Sequence, residues 1–107
     1  MDLEKKTVAT VRVPCSEQEI RRQLQGGLEH IAQVKSVHFL QCEDALSVWV
    51  GLSEDDRTVR KAVYAFEDQI SASFPGFLFD FHVVPIPPGQ RMEDFISDTQ
   101  LIFQRSA

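Results

Sequence analysis

The stretch FLFDFHVVP, residues 77–85, sets an aspartate and a histidine between phenylalanines. In a strand, successive side chains point to opposite faces, so Asp80 and His82 share one face while Phe77, Phe79, Phe81 and Val83 share the other. A second stretch, KSVHFLQC, does the same with His38, Leu40 and Cys42 against Val37 and Phe39. A third, ALSVWVGL, turns Ser47 and the sole tryptophan, Trp49, away from Leu46, Val48, Val50 and Leu52. One sheet face would thus gather two imidazoles, a carboxylate, a thiol and an indole. Imidazole, carboxylate and thiolate are the donors that Zn²⁺ or Cu selects. The same pattern is also the mixed outer face of any antiparallel sheet packed on one side only.

Two rival sites follow. The first is a divalent-metal site of Asp80 and His82, completed by His38 from a second chain. Asp80 and His82 stand about 7 Å apart along a strand, so they need a further ligand to hold an ion. The second is an interface, with Trp49, Leu40 and Val84 leaving apolar area on a face that no helix covers. The interface is the expected use, with the metal as its alternative.

No catalytic constellation is legible, so an enzyme is not the expected reading. His30 beside Glu29 reads as a surface histidine on a helix. Cys42 and His38, four residues apart on one strand face, are separated by roughly 13 Å, too far for a thiolate–imidazole pair. The acids EDD at 54–56 read as a helix N-terminal cluster favoured by the macrodipole. QGGLEH lacks the lysine and spacing of a phosphate loop.

The elements that must position these residues follow from periodicity. KTVATVRV, residues 6–13, alternates as a strand ended by Pro14. Residues 15–34, CSEQEIRRQLQGGLEHIAQV, open with Ser16 and Glu19 in capping-box spacing, and Ile20, Leu24, Leu28 and Ile31 form a helical stripe. Gly26 and Gly27 inside it mark either a break or a close approach of the helix backbone to the sheet. Residues 35–52 read as a hairpin turning at CEDA. A second helix, capped by Ser53 and striped by Val59, Val63, Phe66 and Ile70, stops at FPG. The Phe-rich strand follows. PIPPGQ is a linker, MEDFI a helical turn, and TQLIFQR a last short strand for an edge of this sheet or of a partner's.

This order implies an α+β, ferredoxin-like βαββαβ sandwich over residues 1–88, with an antiparallel sheet, both helices on one face and a C-terminal extension at 89–107. In the usual order of that sheet the second and fourth strands are opposite edges, which sets His38 and His82 roughly 14 Å apart. The pattern over residues 16–85, with the hairpin VKSVHFLQCEDALSVWVGL followed by a helix and a strand ending FDFHVVP, resembles the cytoplasmic C-terminal domains of cation-diffusion-facilitator transporters. The membrane helices of those transporters have no counterpart here.

Composition bounds the rest. With 107 residues, the chain is long enough for one domain with one two-layer core. Eight Phe against one Tyr and one Trp favour a core of rings with few polar attachments. Eleven Lys and Arg scattered among sixteen acids, net charge -5, argue against a nucleic-acid surface. No apolar run reaches the roughly 20 residues of a membrane span, and the N-terminus lacks a signal-peptide plan. Cys15 and Cys42 read as free thiols, consistent with a cytoplasmic setting. The expected protein is a small homodimeric binding or regulatory module, with a small ligand at a dimer interface as a further alternative.

Overall fold

A computed structural model describes residues 17–42 and 45–105. The N-terminal strand expected at 6–13, the Ser16 half of the capping box and Cys15 lie outside the described residues. The fold is α+β. Helix α1 covers residues 17–28 and helix α2 Arg57–Ser73; strands β1 (Val34–Gln41), β2 (Leu46–Leu52), β3 (Phe79–Pro85) and β4 (Gln100–Gln104) form one sheet.

Helix α1 buries Ile20, Leu24 and Leu28, one residue per turn along a single stripe. It ends at Leu28 rather than running on towards Val34, because Val34 is already a fully buried strand residue. Ile31 packs on the core from the intervening turn. The two glycines of α1 differ. A Cβ at Gly26 would meet nothing, whereas one at Gly27 would collide with the ring of Phe66. Gly27 therefore marks close packing of α1 on α2, not on the sheet.

Helix α2 starts later than its sequence suggests. Asp56, not Ser53, is the cap, its Oδ1 accepting from the Val59 N–H at 2.9 Å. Ser53 instead donates to the Gln33 carbonyl, and Asp55 pairs with Arg60, so none of the EDD acids lies in the first turn. Val59, Val63 and Ile70 face the sheet, and Phe66 turns towards α1. The helix closes at Phe74, whose N–H donates to the Ile70 carbonyl, just before Pro75 and Gly76.

Strands β1 and β2 pair antiparallel, Gln41 with Leu46 and Val37 with Val50, and beyond the last pair the Cys42 N–H donates to the Ala45 carbonyl; the middle of the expected CEDA turn lies outside the described residues. Strand β3 then lies parallel to β2, with Leu46 opposite Phe79 and Leu52 opposite Pro85. Strand β4 pairs antiparallel with the other side of β1, so TQLIFQR adds to this chain's own sheet. The order is β3-β2-β1-β4.

This sheet is mixed, where a fully antiparallel one was expected. In the ferredoxin-like plan another strand separates the third from the fourth; here β2 and β3 are direct neighbours joined through α2. The consequence for the site is large. His38 and His82 are not at opposite edges: Trp49 pairs with both, so only two strand spacings, about 10 Å, part the two histidines.

Both helices pack on one sheet face, over Val37, Phe39, Val48, Val50 and Phe81. The other face is not left bare. Residues 86–99 cross it, burying Ile86 and Met92 against Gly51 and Ser36. A Cβ at Gly51 would come within 2.9 Å of Ile86 and 3.1 Å of Met92, so the absence of a side chain there lets the crossing chain sit down on β2. A 3-10 turn at Met92–Asp94 completes that layer, with Asp94 accepting from the Arg91 N–H. No helix among the described residues is long and apolar enough to cross a membrane.

Candidate functional site

The alternation that defines the strands also brings the chemically capable residues into one row across the sheet. His38 on β1, Trp49 on β2 and His82 on β3 are in direct register, on the face opposite the helices. Trp49 and His82 stack, ring centroids 4.1 Å apart and planes 17° from parallel. His82 Nε2 lies 3.2 Å from Asp80 Oδ2, so the carboxylate, the imidazole and the indole form a connected chain.

At the other end of the row His38 is almost wholly buried, 3% exposed, and its Nε2 lies 3.3 Å from Glu93 Oε2. Glu93 was not legible as a partner, because nothing in MEDFI announces that its turn will lie over β1. Its carboxyl is held below the ordinary value of 4.5, first by its own backbone N–H and then, against an opposing effect of burial, by the His38 side chain. Two buried nitrogens in this row, His38 Nδ1 and Trp49 Nε1, have no hydrogen-bond partner among the described residues. Buried polar atoms are normally paired, so these two stand out.

Of the expected metal ligands, Asp80 and His82 are brought together at the surface, 62% and 35% exposed. His38 lies two strands away, beneath the crossing chain. Among the described residues no group of three or more His, Cys, Asp or Glu side chains is placed to hold a metal ion. Cys42 is exposed and unbridged, with only a distant 4.0 Å contact to the Ser47 hydroxyl.

Of the expected interface residues, Leu40 is 36% exposed and Trp49 and Val84 are half-buried. Leu101, opposite His38 across the β1–β4 pairing, adds a 46% exposed apolar side chain to the same face. Phe95, just beyond the 3-10 turn, is also exposed.

Strand β3 is an edge of the described sheet, and one of its outward N–H groups is occupied. Glu67 on α2 reaches across to accept from the Phe81 N–H at 3.3 Å. Burial is the main influence raising the Glu67 carboxyl above its ordinary value; the Phe81 N–H opposes it, and Asp68 and Asp80 add repulsion. No protein-family model matches this chain, and no curated protein or solved structure matches it significantly.

Proposed function

We propose that this chain is a small self-associating binding or regulatory domain, with its contact surface on the sheet face opposite the helices. The observation that carries this reading is the apolar group of Leu40, Leu101 and Trp49 on a face that residues 86–99 cover only in part. Apolar side chains clustered on one exposed face favour a partner surface. A second copy suits this face, because a two-fold axis through it sets the same apolar side chains of both copies against one another. The underlying plan we infer is a relative of the ferredoxin-like sandwich in which the β2–α2–β3 unit stands unsplit.

Analytical ultracentrifugation over a wide concentration range tests the reading. The wild type is expected to dimerise, and Leu101→Asp to be monomeric with an unchanged melting temperature. A wild type that stays monomeric throughout, or a Leu101→Asp protein that dimerises normally, overturns it.

The contact of Asp80 with His82 favours one second reading, a divalent-metal site at the edge of this face. Native mass spectrometry with added Zn²⁺ separates the two. Stoichiometric metal that disappears in His82→Ala supports the metal site; a metal-free species removes it.

A further inference from the structure

Strands β2 and β3 run parallel, and β4, antiparallel to β1 as β2 is, runs the same way. All three therefore finish at one end of the sheet. At that end lies a cavity of about 390 Å³, walled by Val34, Ile86 and Pro88 and carrying three polar side chains, Lys35, Ser53 and Arg105. Its size falls within the range of small-molecule pockets, and the carboxyl ends of parallel strands are where such ligands commonly sit.

The charge of this cavity is opposite to that of the chain. The protein has a net charge of -5, yet among the described residues no acidic side chain lines the cavity and two cationic ones do. Neither Lys35 nor Arg105 has a carboxylate partner among the described residues. Both are held in place by backbone carbonyls instead. Arg105 Nε donates to the Val34 carbonyl at 2.9 Å, and Nη2 donates to those of Glu29 and Ile31 at 2.9 and 3.2 Å. Its guanidinium also stands 5.2 Å from the centre of the Phe103 ring. Lys35 Nζ donates to the Gln90 carbonyl at 3.1 Å, which leaves two ammonium protons.

A guanidinium fixed by three carbonyls keeps its full charge and is already oriented, so a ligand need not immobilise it. Arg105 Nη1 has no partner among the described residues. Two such cations, without a counter-ion among the described residues and backed by an apolar wall, select a ligand with one negative head and a small apolar body.

We propose that this cavity binds a small organic monocarboxylate, its carboxylate between Lys35 and Arg105 and its apolar body against Val34, Ile86 and Pro88. The cavity is lined by none of Leu40, Trp49 and Leu101, the apolar residues of the self-association surface, and either proposal stands if the other fails.

Titration of ¹⁵N-labelled protein with sodium benzoate, followed by amide chemical shifts, tests it, with benzamide as the neutral control of the same shape. Benzoate is expected to give saturable shifts clustered at Val34, Ser53, Gly89 and Arg105. Benzamide should bind at least tenfold more weakly, and Lys35→Gln should weaken benzoate by a similar factor while the spectrum stays dispersed. The proposal is overturned if benzoate does not saturate, if benzamide matches benzoate, or if the shifts cluster elsewhere. The comparison of benzoate with benzamide in the wild type decides the matter even if Lys35→Gln folds poorly.

Discussion

His38 Nε2 lies 3.3 Å from Glu93 Oε2, and through this contact the chain that crosses the sheet is fastened to the middle of β1. One partner is buried and the other nearly half exposed, so the contact ties an outer layer to the sheet rather than supporting the core.

Its contribution depends on pH with a definite sign. The Glu93 carboxyl is depressed in the folded state, chiefly by its backbone N–H and then by His38. A depressed carboxyl contributes stability that is complete above its unfolded-state value and lost as pH falls through the folded-state value. Glu93→Gln should therefore be less stable than wild type at neutral pH, by about 0.5 kcal/mol for so exposed a pair. The gap should close below the ordinary carboxyl range. Urea unfolding at several pH values measures it, and a gap that widens in acid contradicts the pairing.

Glu67 carries the opposite sign. Burial raises its carboxyl, so its ionisation costs stability as pH rises through the folded-state value. Glu67→Gln keeps an oxygen for the Phe81 N–H and removes the charge. Relative to wild type, the variant should gain stability between pH 4 and neutrality, readable as a melting temperature that rises with pH only in the difference between the two proteins.

The adjacent glycines of α1 should respond in opposite directions. Gly26→Ala adds a methyl to open space inside a helix and should stabilise by about 0.5–1 kcal/mol. Gly27→Ala drives the same methyl into the Phe66 ring and should destabilise by about 1 kcal/mol once the propensity gain is subtracted. Phe66→Leu, which gives the methyl room, should shrink that penalty in the double variant. Equal effects at the two positions would mean that α1 and α2 are not in contact there.

Capping chemistry separates two serviceable residues. Asp56→Ala should cost about 1 kcal/mol, because the Val59 N–H loses its acceptor. Ser53→Ala should cost less, since the Ser53 backbone N–H still donates to the Gln33 carbonyl. Chemical denaturation of the two variants ranks them, and the reverse ranking would move the start of α2 back to Ser53.

The faces of the strands were legible from alternation alone: Val37, Phe39, Val48, Val50 and Phe81 are inside as their spacing requires, and Trp49, Asp80 and His82 lie together on the other side. Neighbourhood was not. Alternation tells which face a side chain takes but not which strand lies beside it, so the direct β2–β3 pairing and the row His38–Trp49–His82 were out of reach. Likewise Ser53 and Asp56 are equally good caps by type, and only the backbone path around Gln33 decides between them. Met92 and Glu93 gave no signal because a single buried side chain in an irregular segment has no period. The Arg105 anchor went unseen for a related reason: its partners are carbonyls of residues 29, 31 and 34, and carbonyls have no sequence signature.

The stack of Trp49 on His82 gives the molecule an optical reporter at its most informative place. With one tryptophan in the chain, all indole emission comes from the centre of the face opposite the helices. Burial of the face by a second chain should shift it to the blue. Dimerisation and loosening of the crossing chain can thus be followed with no label at all, each by its own change in a single spectrum.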